Sequence, residues 1–146
     1  MKVLQFDPAR CIGARECERE CSRTWFKEEN RDKSAIRITE AQDGRYAMVA
    51  CTQCGECIDV CPTMAIRRDK RGIVRIDKKL CVGCLSCVGF CPYLAMFFHP
   101  DYVEPFKCVA CGKCVEVCPS GALVIADAPD APLTVTEKRQ QQEKVA

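Results

Sequence analysis

The chain has 146 residues, a formal net charge of +2 and 15 cysteines, but only one tryptophan, three tyrosines and six phenylalanines. With so few large apolar side chains outside cysteine, it needs disulfides or bound metals as internal crosslinks. The odd number of cysteines argues against a complete set of disulfides, and no window approaches the roughly 18 apolar residues of a membrane-spanning helix. Because the N-terminal segment shows no secretory signal either, we expect a cytoplasmic protein whose reduced thiols bind metal.

All fifteen cysteines fall into four short runs. Runs two, three and four share the pattern C-x2-C-x2-C-x3-C followed by proline, whereas run one carries Ala14 in place of its second cysteine. This spacing is typical of iron–sulfur proteins, in which the first three cysteines of a run wrap one cluster and the fourth ligates the other cluster of a pair. Structural zinc instead favours two separated C-x2-C pairs that close one tetrahedron.

The segment between run one and run two, residues 22–50, predicts an inserted helix and hairpin. We expect the helix to continue through Trp25 and Phe26. The alternating residues 36–38 and 46–49 then predict two strands around an Asp-Gly turn.

Shorter strands are expected between and after the later runs. Residues 65–67 and 73–76 predict a hairpin between runs two and three, and residues 95–98 and 122–125 predict the strands after runs three and four. The tail, residues 127–146, begins with a segment that contains two prolines, and residues 136–144 are polar on all sides. We expect it to be disordered in the free chain, with a helix ordered on a partner as the alternative, and Thr-x-x-Glu at 134–137 offers a weak capping box.

The repeat resembles that of bacterial-type ferredoxins, and four copies resemble the four-cluster electron-transfer subunits of multi-subunit oxidoreductases. The resemblance rests on the four runs and covers roughly residues 1–126. Such subunits serve molybdenum or tungsten pterin enzymes, hydrogenases and carbon monoxide dehydrogenase, and the compact chain looks most like the small subunit of bacterial tungsten aldehyde oxidoreductases. The resemblance implies an α+β fold of two bacterial-ferredoxin-like modules, with short hairpins and short helices around the clusters.

Two pairings of the runs are open. The gaps between runs are 29, 19 and 16 residues, and the middle gap suits a pair formed by runs two and three. Runs one and four then form the second pair, a nested arrangement that the resemblance also implies. Sequential pairing, one with two and three with four, is the alternative. Nested pairing predicts an outer module of residues 1–21 and 93–126, the insertion 22–50, an inner module of residues 51–92 and the tail 127–146.

Nested pairing assigns the cysteines to four clusters. One inner cluster would take Cys51, Cys54, Cys57 and Cys91. The other inner cluster would take Cys81, Cys84, Cys87 and Cys61. One outer cluster would take Cys108, Cys111, Cys114 and Cys21, and the other only Cys11, Cys17 and Cys118.

The last of these clusters lacks a ligand because the Ala14 methyl group cannot bind iron. The resemblance of C-x5-C-x3-C to the run of seven-iron ferredoxins implies three 4Fe-4S clusters and one 3Fe-4S cluster. One alternative is a 4Fe-4S cluster held by three cysteines, with water, hydroxide or Glu16 on the remaining iron. The other is an empty site. An occupied site with fewer thiolates or irons should be the most oxidising of the four.

Basic residues are concentrated in the hairpin between runs two and three. The candidates for docking an acidic partner are Arg67, Arg68, Lys70 and Arg71, with Trp25 and Phe26 as a candidate apolar contact. The alternatives are a solvated turn that offsets cluster charge and a core position for the two aromatic residues. Nucleic acid is not an expected partner, because no aromatic residues interleave with these charges.

No phosphate-binding loop or acid–base set remains once the cysteines are assigned, so we expect no catalytic residues and no enzyme activity of the chain alone. We expect an electron-transfer subunit between a larger catalytic oxidoreductase subunit, of the tungsten or molybdenum pterin aldehyde or formate type, and a second redox subunit or soluble carrier. The alternatives are a freely diffusing polyferredoxin, clusters that act only as structural crosslinks, and a longer wire formed by self-association.

Overall fold

The computed structural model describes residues 1–145, which contain six short strands, five helices and one 3-10 turn. The strands are β1 Lys2–Phe6, β2 Ile36–Glu40, β3 Tyr46–Ala50, β4 Ile66–Arg68, β5 Val74–Ile76 and β6 Leu123–Asp127. The helices are α1 Glu16–Phe26, α2 Glu56–Val60, α3 Ser86–Phe90, α4 Lys113–Val117 and α5 Val135–Val145, and a 3-10 turn covers Arg31–Lys33. Within the described residues no helix combines the length and apolarity that crossing a membrane requires.

The strands form three separate two-stranded antiparallel sheets. β2–β3 and β4–β5 are the two predicted hairpins, which are thereby confirmed. β1 pairs with β6 over its whole length, which joins the segment before run one to the segment after run four. The strand predicted at 95–98 is reduced to one bridge between Phe97 and Phe106, because only this residue pair meets across the two segments.

Two small apolar cores hold the elements together, and cysteines belong to both. The first core lies around runs one and four and contains Leu4, Cys17, Ile36, Ile38, Cys114 and Leu123. The second lies around runs two and three and contains Ile58, Ile66, Val74, Cys87 and Met96. Met96 packs in the second core, although the nested pairing predicts it in the outer module.

A buried carboxylate fastens the insertion to α1. Glu18 is almost inaccessible to solvent, yet it accepts a hydrogen bond from the Ile38 N–H and forms an ion pair with Arg31 at 2.9 Å. A buried charge is tolerated only when it is paired and hydrogen-bonded in this way. Glu18 therefore fixes β2 against the helix that carries two cysteines of run one.

The expectation of a disordered tail was wrong for residues 135–145, which form helix α5 on the inner module. The capping box is present, because the Glu137 N–H donates to Thr134 Oγ1 and Glu137 accepts from the Thr134 N–H. Asp59 of run two accepts two more N–H groups of the first turn, and Arg68 pairs with Glu137 at 2.7 Å. These contacts with distant residues supply the order that the polar sequence does not.

Candidate metal centres

Four cavities between the runs are lined by all fifteen cysteines, none of which forms a disulfide. Each leaves about 320 to 350 Å³ free of protein atoms, counting the part that opens to solvent. Site A is lined by Cys11, Cys17 and Cys118, site B by Cys21, Cys108, Cys111 and Cys114, site C by Cys51, Cys54, Cys57 and Cys91, and site D by Cys61, Cys81, Cys84 and Cys87. Sites A and B thus combine runs one and four, and sites C and D combine runs two and three.

The four runs share one loop conformation. In each loop, the second residue after the first cysteine and the residue before the helix have a positive φ. These pairs are Gly13 and Arg15, Gln53 and Gly55, Gly83 and Leu85, and Ala110 and Gly112. Left-handed residues turn the chain back on itself, so that three side chains of one loop can surround a common space. Run one keeps this loop although Ala14 replaces a cysteine.

The short helices divide the cysteines of each run between two sites. On α1, Cys17 lines site A and Cys21 lines site B, because residues four apart lie on the same face one turn from each other. In run two, Cys57 lines site C, and Cys61, directly after α2, lines site D. Each pair of sites therefore shares two helices and is held at a fixed separation.

The fourth cysteine of a run accepts a backbone hydrogen bond from a following alanine. The Ala65 N–H donates to Cys61 Sγ at 3.3 Å, and the Ala95 N–H donates to Cys91 Sγ at 3.4 Å. Such bonds orient a thiolate ligand and stabilise its negative charge.

In run one the corresponding donor comes from the far end of the inserted segment. The Ala35 N–H donates to Cys21 Sγ at 3.3 Å, although Ala35 lies 14 residues further along the chain. The inserted segment 22–50 therefore still supplies Cys21 with the backbone donor that a nearby alanine supplies in runs two and three. A sequence signal was available, since Ala35-Ile36 repeats the Ala65-Ile66 pair that follows run two.

Most of the cysteines nearest the cores are poor acids in the absence of a cation. Burial raises the pKa of the Cys17, Cys87 and Cys108 thiols to about 11 and that of Cys57 to about 12. Burial also tends to raise the pKa of the Cys61 thiol, but hydrogen bonds from Thr63 and from the Ala65 N–H outweigh burial, so the pKa is lowered. Metals bind the thiolate form of cysteine, so a metal held at these sites would have to supply the positive charge that keeps the buried sulfurs ionised.

Site A is lined by three cysteines, whereas each of the other sites is lined by four. Ala14 lines site A at the loop position where Cys54 lines site C. Glu16 also lines the cavity, but its carboxylate pairs with Arg19. The side chain proposed as an alternative fourth ligand is therefore engaged elsewhere.

The candidate docking residues have different environments. Arg67, Lys70 and Arg71 are exposed on the β4–β5 hairpin. The Arg68 guanidinium instead pairs with Glu137 and donates to carbonyl groups of the run-two loop and of the hairpin turn. Its contacts are thus internal, and we leave Arg68 out of the docking surface.

The two aromatic candidates also differ. Phe26 packs against the rings of Tyr102 and Phe106, each with a centroid distance of 4.9 Å, as a core role requires. Trp25 is 49% exposed at the rim of an apolar groove. Of this pair, only Trp25 is exposed enough to contact an outside partner, with about half of its surface accessible.

The sequence matches the family described as the 4Fe-4S dicluster domain over residues 3–62 and 73–119, and a second family of the same description over residues 50–95. The uncharacterised ferredoxin-like protein YdhX of Escherichia coli K12 is 35% identical over 102 residues, which are 64% of this chain and 46% of YdhX. The thiosulfate reductase electron transfer subunit PhsB of Salmonella typhi is 34% identical over 112 residues, 70% of this chain and 56% of PhsB. The chain spans about half the length of these curated relatives.

A similar fold occurs in the active site complex BamBC of benzoyl coenzyme A reductase. The match has a TM-score of 0.51 and 20% sequence identity, and covers 99% of this chain and 89% of the other. At this identity the likeness concerns the fold alone. The family matches cover runs one to four, so the resemblance inferred from the cysteine spacing is confirmed at family level. The chain therefore belongs to the 4Fe-4S dicluster domain family.

Proposed function

We propose that this chain carries single electrons along four iron–sulfur clusters, one in each of sites A to D, as a subunit of an oxidoreductase complex. The observation that carries the proposal is that all fifteen cysteines line four separate cavities, and that each cavity is lined by cysteines of two runs. The ligands are the cysteines of each site as defined above. Curated relatives named as electron transfer proteins, among them PhsB, support the same role.

The residues present fit clusters of several irons. In a cubane each thiolate binds its own iron, so the four sulfurs surround a space, whereas zinc needs four ligands at about 2.3 Å from one point. Within the described chain, no three Cys, His, Asp or Glu side chains are close enough to hold one ion. A buried ammonium group at Lys107, which lines both site B and site C, also suits anionic groups in these two cavities.

The protein residues give the four sites an order. α1 and α4 connect site A to site B, and α2 and α3 connect site C to site D. Sites B and C face each other across Lys107. We therefore place the sites in the order A, B, C, D, with the Ala14 site at one end. When bound, the clusters would supply one-electron redox chemistry, and the chain would hold them in a row.

We propose that the partner beside sites C and D is a larger oxidoreductase subunit with an uncharged, apolar face. Residues 81–98 contain no charged side chain, unlike the helices of runs two and four. The exposed apolar residues of this surface, the run-three face, are Val82, Phe90, Tyr93, Leu94 and Phe98. A charged partner would have to bury its charges here without counter-charges, which is costly. A tungsten or molybdenum pterin enzyme remains our candidate for the partner.

Leu94→Asp should weaken this complex without emptying the clusters. Leu94 is 72% exposed, so the fold tolerates a carboxylate there, but burying it under the partner should cost at least about 2 kcal/mol, roughly 30-fold in affinity. Co-purification of the tagged chain with a larger subunit measures the effect. Arg71→Asp on the basic hairpin is the matched control. If only Arg71→Asp released the subunit, an acidic partner on the hairpin would replace the apolar one.

The iron and acid-labile sulfide content of anaerobically prepared protein tests the proposed function. Three 4Fe-4S clusters and one 3Fe-4S cluster give about 15 irons per chain. Oxidised protein should show the electron paramagnetic resonance signal of a three-iron cluster, and reduced protein should show interacting four-iron clusters. Iron near one atom per chain, or clusters that cannot be reduced, would rule out the electron-transfer role.

Ala14→Cys should convert site A into a site with four cysteines. The loop already has the conformation of the other runs, so the new thiol is placed as Cys54 is in site C. We expect about 16 irons per chain, loss of the three-iron signal and a lower potential for this site. Ala14→Ser is the control for volume. An unchanged signal in Ala14→Cys would contradict a three-iron cluster at site A.

A further inference from the structure

Lys107 is a buried lysine between sites B and C. Its side chain is 6% exposed and lines both cavities. Nζ donates to Gln53 Oε1 at 3.0 Å, to the Val74 carbonyl at 2.5 Å and to the Cys108 carbonyl at 2.9 Å. Within the described chain, these three oxygens are the only acceptors found for Lys107 Nζ, and all three are neutral. Burying an ammonium group without a counter-charge is unfavourable, so the position calls for negative charge nearby.

Gln53 holds Lys107 in place and is itself completely buried. Its Oε1 also accepts the Val74 N–H at 3.0 Å, and its Nε2 donates to the Cys108 carbonyl at 2.9 Å. Gln53 has φ +62° at the loop position where run three has glycine, a conformation that side chains rarely adopt. The amide thus ties the run-two loop to the run-four loop from a residue with a strained backbone conformation.

The ammonium group borders cysteines of both sites. Lys107 lines site C together with Cys51 and Cys57, and it lines site B together with Cys108. The residues found to line site D, by comparison, include no charged side chain. Lys113 also lines site B, but it is half exposed and pairs with Glu116. Lys107 is therefore distinguished by its burial and by its position between two sites.

We propose that the Lys107 ammonium raises the reduction potentials of the clusters in sites B and C together, so that electrons crossing between the modules are stabilised there. Reduction adds negative charge, and a buried positive charge close by favours the reduced form with little screening from solvent. Both potentials must move in the same direction, because one charge lies between the two sites. The inference rests on the proposed occupancy of sites B and C.

The test is a redox titration of Lys107→Gln, followed by electron paramagnetic resonance. Glutamine is neutral and can still donate a hydrogen bond to the loop carbonyls. We expect two of the four potentials to fall, each by at least about 59 mV, a tenfold change in the reduced-to-oxidised ratio for a one-electron couple. The other two should not move. Lys107→Arg, which keeps the charge, should hold both potentials near their wild-type values, and Lys70→Gln, which removes an exposed charge from the β4–β5 hairpin, should leave all four unchanged.

Each result has a defined meaning. Four unchanged potentials in Lys107→Gln, or a shift of all four, would overturn the assignment while leaving four-cluster electron transfer intact. If Lys107→Gln fails to assemble the clusters of sites B and C, Lys107→Arg decides the reason. Clusters present in Lys107→Arg would show that assembly requires the positive charge, whereas clusters missing from both variants would overturn the proposal. Wild-type protein without clusters would instead refute the proposed function itself.

Discussion

Removing iron with a chelator under oxidant-free conditions should unfold most of the chain. The three sheets have only two strands each, and α2, α3 and α4 are five residues long. Isolated hairpins and single-turn helices are not stable in water. Each apolar core includes cysteines that the proposed clusters join, so metal binding supplies folding free energy, on the order of 10 kcal/mol per site if structural zinc is a guide.

Far-ultraviolet circular dichroism and hydrogen exchange measure this effect. We expect the helical signal and the protection of β1, β6 and the β4–β5 hairpin to be lost together with iron. Anaerobic reconstitution with iron and sulfide should restore both, which controls for chemical damage to the thiols. An iron-free chain that kept its protection pattern would contradict the account in which the clusters replace a hydrophobic core.

Cys114→Ala should block electron passage through the row of sites. Cys114 is a buried ligand in site B, which lies between site A and the inner module. Outer-shell changes around a metal typically cost 10- to 100-fold, so loss of this buried ligand should slow passage by at least about 100-fold. Site B should empty, leaving about 11 irons per chain.

Cys111→Ala is the matched variant in the same site. Cys111 is exposed and occupies the loop position that Ala14 occupies in run one. We therefore expect it to convert site B into a three-iron site with about 14 irons, and to slow passage less than Cys114→Ala. Passage is measured in the complex with its catalytic partner, using a dye that accepts electrons from the partner directly as the control. Equal, near-normal rates in both variants would remove site B from the electron path.

The sequence predicts those features that depend on a few neighbouring residues. The spacing of the cysteines indicated the loops, and alternation indicated the β2–β3 and β4–β5 hairpins. The turn between β4 and β5 and the capping box of α5 were also visible, because each involves residues only three or four positions apart.

Features that depend on contacts between distant residues could not be predicted. α5 is ordered by Asp59 and Arg68, which lie far from it in the chain, so its polar sequence alone indicated disorder. The Gln53–Lys107 bridge likewise joins residues 54 apart. A single lysine before run four carries no mark of burial in the sequence. The hydrogen bond from Ala35 to Cys21 could be predicted in part. The Ala-Ile pair repeats the one that follows run two, but only the fold shows that Ala35 reaches Cys21 across the inserted helix.

Iron anomalous diffraction from crystals of anaerobically prepared protein tests the central claim most directly. We predict four separate peaks in one row, at sites A, B, C and D in that order. The peaks should be bounded by cysteines of runs one and four at one end of the row and by those of runs two and three at the other. The peak beside Ala14 should be the weakest. Fewer than four peaks, or peaks shared between runs one and two, would contradict the proposed sites and their order.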